Sequence, residues 1–250
     1  MNNWHTNLNK RLGQDSHSSN GPNNHDPETL PETDAVPQRI IGLTGGIGMG
    51  KSTVSRYLEQ RYHIPVIDAD LLSRDAVTQG TPILAAIAQR YGQAILRPNG
   101  ELDRARLADI VFQCSSERLW LDQQIHPYVR HRIETALSQP ETLAPIILLA
   151  IPLLFEARMT DLATEIWVVW CDREQQIDRI IQRSVRLSQQ DGTLPLSREQ
   201  VIARIQTQMD IQKKIRHANV VLDNSRSLEN LYCSIDQAIG VTDPSCLKSE

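Results

Sequence analysis

The chain has no cysteine pair at C-x-x-C spacing; its four cysteines, Cys114, Cys171, Cys233 and Cys246, are scattered. That suggests neither a zinc site nor a disulfide framework, and reduced thiols are expected. It also lacks any apolar run near the ~18 residues a membrane span needs, and its N-terminus has no apolar signal core. A cytoplasmic protein without a membrane partner is therefore expected. Basic charge is not in excess either. With 26 Lys+Arg against 30 Asp+Glu the formal net charge is −4, which gives no support for nonspecific nucleic-acid binding. Residues 1–38 are poor in large apolar side chains and rich in Asn, Ser, His, Asp and Pro. Such a segment cannot form a packed core and reads as a disordered extension. Trp4, Leu8 and Leu12 have the i, i+4 spacing of one helical turn or docking element, and His5, His17 and His25 are too far apart for a metal site. The whole chain of 250 residues, 40% hydrophobic, suffices for one α/β domain with an insertion.

What is present begins at Arg39. A short apolar run, Ile40-Ile41-Gly42-Leu43, leads into Gly45-Gly46-Ile47-Gly48-Met49-Gly50-Lys51-Ser52-Thr53. The stretch fits G-x-x-x-x-G-K-[ST], a phosphate-binding loop. Its glycines allow positive φ and let backbone N–H groups approach phosphate without a Cβ in the way. Lys51 reaches the β/γ-phosphates, Ser52 supplies a Mg²⁺ ligand, and the helix that follows turns its positive end to the anion. Helix one extends to about Arg61, and Ile64-Pro65-Val66-Ile67 reads as a second buried strand ending in Asp68-Ala69-Asp70. Strand, helix and strand in this order make a parallel βαβ unit. Ligands bind at the carboxyl ends of such strands, so Asp68 and Asp70 are expected in the same crevice as the triphosphate.

Residues 71 to about 139 read as helical, with breaks at Gly80-Thr81-Pro82, at Arg97-Pro98-Asn99-Gly100 and at His126-Pro127. The unbroken run from Ile146 to Phe155 has the character of a central parallel strand. No aspartate ends it, leaving Asp68, Asp70 and, less well placed, Glu156 for metal duty. Glu165–Cys171 and Val220–Asp223 supply a fourth and fifth strand, and Ser227–Ile239 a closing helix. Between the last strands, Arg173–Arg216 holds nine Lys/Arg against five Asp/Glu. Arg179, Arg183 and Arg186 recur near one helical face, either a solvated surface or a lid whose arginines close over the γ-phosphate. Ser197 with Gln200 marks a capping box for a second lid helix.

Several stretches together resemble the dephospho-coenzyme A kinase family. They are Gly42 to Thr53, Val66-Ile67-Asp68-Ala69-Asp70 with Arg74, Ile125-His126-Pro127, Pro152-Leu153-Leu154-Phe155-Glu156, Arg179 with Arg183, Arg204-Ile205 with Gln208, and Val221-Leu222-Asp223-Asn224-Ser225. The resemblance runs from about Arg39 to Ile239. It implies a P-loop NTPase-type α/β fold: a five-stranded parallel sheet with flanking helices, a helical acceptor-binding insertion (about 71–139) and a helical lid (about 178–215). The kinase domain would span 39–240, with 241–250 as a tail. It further implies that ATP, with Mg²⁺, phosphorylates the ribose 3′-hydroxyl of dephospho-coenzyme A. Asp70 then takes the general-base role; Lys51 and Arg183, with Arg179, neutralise the transferred phosphoryl group; Gly45 to Thr53 hold ATP. Asp68 either assists the metal or caps a helix. Arg74 holds a substrate phosphate or pairs with Asp75, and His126 lines the acceptor pocket or is structural. A monomer is expected. Three departures stand out: Met49 where serine is usual, Asn219 where aspartate is usual, and extra lid residues around Ser184–Pro195. The alternatives are a kinase for another small molecule, such as a nucleoside monophosphate, and a nucleotide-dependent switch. The chain has no Asn-Lys-x-Asp guanine-selecting element.

Overall fold

The computed structural model describes residues 38–139, 144–192 and 194–240. The expected disordered extension and the C-terminal tail from residue 241 lie outside the described residues. Five parallel strands form one sheet: β1 (Arg39–Gly45), β2 (Val66–Asp68), β3 (Ile146–Ala150), β4 (Glu165–Trp170) and β5 (Val220–Asp223), in the order β2-β3-β1-β4-β5. The helices are α1 (Lys51–Tyr62), α2 (Ala69–Asp75), α3 (Pro82–Tyr91), α4 (Arg104–Gln113), α5 (Ser115–Leu137), α6 (Arg173–Asp191), α7 (Arg198–Gln206), α8 (Ile211–Arg216) and α9 (Leu228–Ile239).

Alternation along the central strands explains why both faces of the sheet are covered. Ile41 and Leu43 of β1, Leu148 of β3 and Trp167 and Val169 of β4 pack on one side against Val54 and Leu58 of α1 and Leu231 and Ile235 of α9. Ile147 and Leu149 point to the other side, against Val129 and Ile133 of α5. Strands buried on both faces read as continuous apolar runs, which is the pattern of β1 and β3. Beside the sheet, α2, α3, α4 and α5 enclose a core of their own around Val77, Leu84, Ile87 and Leu107. A further cluster joins Ile177 and Ile180 of α6 to Val201 and Ile205 of α7, with Ile47 of the glycine loop packed on it. Helices α6 and α7 thus rest on the loop itself.

Three local readings change. The second strand forms at Val66–Asp68 rather than Ile64–Ile67, because Ile64 is a buried plug behind α1 and Pro65 offers its carbonyl to the Leu148 amide. His126-Pro127 does not interrupt its helix: α5 runs through Pro127 for 23 residues. Proline lacks the N–H for one helical bond, but Ile125, Tyr128 and Val129 around it are anchored in two apolar clusters, and that packing outweighs the local break. Cys114 and Cys171 are free thiols as expected, whereas Cys233 on α9 is disulfide-bonded, which no cysteine spacing signals. The capping box at the start of α7 forms in full between Ser197 and Gln200.

Candidate active site

The loop from Gly45 to Gly50 joins β1 to α1 at the carboxyl end of the central strand. Gly50 sits at φ +101° as the N-cap of α1, and a Cβ there would lie 2.1 Å from the Asn224 side-chain nitrogen. At Gly45 (φ +146°) a Cβ would meet the Val169 carbonyl oxygen at 2.3 Å. Both positions require glycine for conformation and for space. Side chains from three other elements brace the loop. Asn224, after β5, donates from Nδ2 to the Met49 carbonyl at 2.9 Å. Gln176 of α6 donates to the Ile47 carbonyl at 2.8 Å, and Gln208, after α7, accepts the Ile47 N–H at 2.9 Å. Met49 is itself buried, and its thioether sulfur accepts the Gly46 N–H at 3.2 Å. The residue in place of the usual serine is therefore part of the loop's internal bonding.

Lys51 folds back over the loop, donating to the Gly45 and Gly46 carbonyls at 2.8 and 3.0 Å. Burial, followed by the charge of Lys214, lowers its pKa to about 8, against the opposing pull of Asp70, Glu156 and Asp68. Asp70 stands in the first turn of α2 and is exposed. Enough protein surrounds it that desolvation is the largest influence on its carboxyl, pushing the pKa up; Asp68 adds to this, and Lys51, Arg74 and Arg183 oppose it. Cations at the start of α1, on α2 and on α6 thus all favour the ionised form of one carboxylate.

Asp68 takes the helix-cap position: its Oδ1 accepts the Asp70 N–H at 2.8 Å. A carboxylate has acceptor capacity beyond that one bond. Mg²⁺ keeps waters and substrate phosphate oxygens rather than a protein cage, so the Ser52 hydroxyl and the spare acceptor capacity of Asp68 are donors of the kind it would take. Among the described residues no group of three or more His, Cys, Asp or Glu forms a metal cluster, in keeping with so open a donor set. Arg74 is exposed on the last turn of α2 and forms no ion pair with Asp75.

Arg179 and Arg183 of α6 part company. Arg183 acts on Asp70. Arg179, one turn earlier, donates through Nη2 to the Asn224 carbonyl at 2.9 Å, and its Nη1 is buried without a partner. His126 lies on α5 with its Nε2 3.8 Å from Asp122 Oδ1, one turn back on the same helix. The structure does not bring it to the loop.

Gln176, Gln208 and Asn224 carry no assigned role from the sequence, yet they brace the loop, and Lys214, equally unassigned, pairs with Glu156 beside it. Glu156 is not free for metal duty: it accepts the Met209 N–H at 3.0 Å and pairs with Lys214 at 2.8 Å. The signal for Lys214 was an ionic residue inside the apolar period of a short helix; for Asn224 it was the run that closes β5.

The sequence profile of the dephospho-CoA kinase family matches residues 39–230. The chain belongs to the dephospho-CoA kinase family. A dephospho-CoA kinase of Trichormus variabilis is 50% identical over 202 residues, covering 81% of this chain and 97% of that one. Its counterpart from Synechocystis is 47% identical and covers 80% and 94%. A solved Thermus thermophilus structure is 33% identical at a TM-score of 0.66, over 81% of this chain and 97% of that one. The dephospho-CoA kinase of Campylobacter jejuni, at 23% identity and a TM-score of 0.58 over 80% and 95%, shares the fold. For a dephospho-CoA kinase family member the extent of the match is instructive: it begins where β1 begins, so residues 1–38 lie outside the family profile.

Proposed function

We propose that the chain transfers the γ-phosphoryl group of ATP to the ribose 3′-hydroxyl of dephospho-coenzyme A, releasing coenzyme A and ADP, with Asp70 as the general base. The observation that supports Asp70 as the base is its place in the first turn of α2, directly after β2, where Lys51, Arg74 and Arg183 all act on its carboxylate. An alcohol is a poor nucleophile, so a carboxylate that takes its proton as the P–O bond forms lowers the barrier. A pKa raised by burial makes Asp70 a better proton acceptor, and Lys51, Arg74 and Arg183 oppose that rise in favour of the ionised form.

Phosphoryl transfer depends mainly on positioning and on stabilising charge at the moving group. The loop N–H groups and Lys51 hold the triphosphate, and Lys51 gives up its bonds to the Gly45 and Gly46 carbonyls to do so. Arg183 reaches the transferring group from α6. Arg179 serves the nucleotide from the other side, where its buried Nη1 lies beside the loop after β5. Arg74 holds a phosphate of the acceptor, and the helices from α2 to α5 bind the rest of it, with His126 on their acceptor-facing side. Ser52, with Asp68, would hold Mg²⁺, which supplies charge neutralisation on the phosphate oxygens. The lid (about 178–215) closes over the nucleotide. A cytoplasmic monomer with no nucleic-acid or membrane partner completes the reading, supported by the net charge of −4 and by the lack, among the described residues, of a helix long and apolar enough to cross a membrane.

The test is ADP release from ATP and Mg²⁺ with and without dephospho-coenzyme A, together with phosphorus NMR of the product. Acceptor-dependent turnover with a new phosphomonoester on the 3′-oxygen is expected. ADP release indifferent to the acceptor would point instead to a nucleotide-driven switch.

A further inference from the structure

Lys214 is fully buried in the last turn of α8, at 0% exposure. Burying an ammonium costs several kcal/mol even when it is paired, and ion pairs of this kind can often be replaced by apolar side chains without loss of stability. Its retention beside the site therefore calls for a reason other than holding the fold together.

The bonds around it supply one. Its Nζ lies 2.8 Å from Glu156 Oε1 and 3.1 Å from Oε2, and it donates to the Pro152 carbonyl at 3.2 Å. That carbonyl also accepts the hydroxyl of Thr44, 3.0 Å away, in the β1 residue directly before Gly45. Glu156 in turn accepts the Met209 N–H, and the residue before Met209 is Gln208, which holds the Ile47 N–H. The circuit therefore starts at the root of the loop, passes through Lys214 and Glu156, and returns to the loop at Ile47. A cleft of about 640 Å³ borders Gly46, Met49, Gln208 and Met209, so the loop is not backed by solid packing on this side.

We propose that Lys214, with Glu156 as its counter-ion, is a positioning residue that fixes the connection between α7 and α8 and, through Gln208, the shape of the phosphate loop. The inference rests on the reading of that loop as the ATP site. The hydrogen bonds of Lys214 run to Glu156 and the Pro152 carbonyl and none to the loop, so it acts on the loop through them. A displacement on the order of 1 Å in groups that hold a reacting substrate costs about 10²-fold in rate, which sets the scale of the effect.

The experiment uses the full chain and reads three quantities for each variant: direct ATP affinity by titration calorimetry, acceptor-dependent kcat and KM, and the urea midpoint. Lys214→Met alone leaves the half-buried Glu156 without its counter-ion, so it should lose both stability and ATP affinity. The informative variant is Lys214→Met with Glu156→Met. Its urea midpoint is expected at or above that of the wild type, while acceptor-dependent kcat/KM falls by about 10- to 100-fold and ATP affinity by about 10-fold. Recovery of both stability and ATP affinity in this variant overturns the proposal, since the pair would then be merely structural. If the apolar pair fails to fold, a cycle of Glu156→Gln and Gln208→Ala decides. The proposal expects the two losses in ATP affinity not to add, because both break one circuit, and additive losses overturn it. Acceptor-independent ADP release by the wild type would count against the kinase reading alone, because the affinity arms judge Lys214 without the acceptor.

Discussion

Asp68 caps the helix whose second residue is Asp70, its Oδ1 accepting the Asp70 amide at 2.8 Å. The same carboxylate is, after burial, the main influence that raises the Asp70 pKa. One residue thus orients the proposed base and tunes it, and the two effects separate by substitution.

Asp68→Asn keeps a side chain that caps well but removes the charge. The Asp70 pKa then falls, and because the base works in its ionised form, the acidic limb of the kcat profile moves to lower pH. Asp68→Ala should move the limb in the same direction and also cost about 1 kcal/mol of stability through the lost cap. Measured pH–rate profiles check the first effect and urea unfolding the second. An acidic limb that stays in place in both variants would separate Asp68 from the base.

Lys51 offers a second pH signature. With its pKa lowered to about 8 in the nucleotide-free protein, the ammonium is partly deprotonated at pH 8, and an arriving triphosphate favours the charged form. Titration of ATP into the protein should therefore take up about half a proton at pH 8 from this group and almost none at pH 6. Calorimetry in two buffers of different ionisation enthalpy measures the uptake.

The lid arginines should differ in kind. Arg183→Ala is expected to lower kcat by about 10³-fold or more, the scale of an arginine that stabilises the transferring group. Arg179→Ala, whose bond runs to the Asn224 carbonyl, should act mainly on KM for ATP. Steady-state kinetics on both variants distinguishes the cases, and equal losses of kcat would contradict the separation.

Asn224→Ala removes the bond to the Met49 carbonyl from a side chain that is only 4% exposed. Leaving that acceptor without its partner should cost about 1–3 kcal/mol of stability and weaken ATP binding, because the carbonyl belongs to the loop. Chemical denaturation and ATP titration read the two effects independently.

The loop, the strand that feeds it and the Asp68/Asp70 pair were legible in the sequence because each is written in consecutive residues. The glycines at 45, 48 and 50 encode their own φ values, and the apolar runs of β1 and β3 encode burial on both faces. What surrounds the loop was not legible. Gln176, Gln208 and Asn224 reach it from α6, the α7–α8 connection and the end of β5, up to 175 residues away in sequence, and Lys214 of α8 is linked to it only through Glu156 and Pro152; the sheet order β3-β1-β4-β5 brings them together. Pro127 misled for a related reason. A local rule ends helices at proline, and tertiary anchoring of Ile125, Tyr128 and Val129 overrode it. The two lid arginines looked alike as i, i+4 neighbours on one helix, and only the position of the Asn224 carbonyl separates them.

The measurement that tests the central claim most directly is single-turnover phosphoryl transfer to dephospho-coenzyme A by the wild type and by Asp70→Asn at saturating ATP and Mg²⁺. If Asp70 takes the proton of the attacking hydroxyl, the rate in Asp70→Asn falls by about 10²–10⁴-fold while ATP affinity stays near that of the wild type. A transfer rate equal to that of the wild type would contradict the assignment of Asp70 as base, with Asp68 the next carboxylate to test.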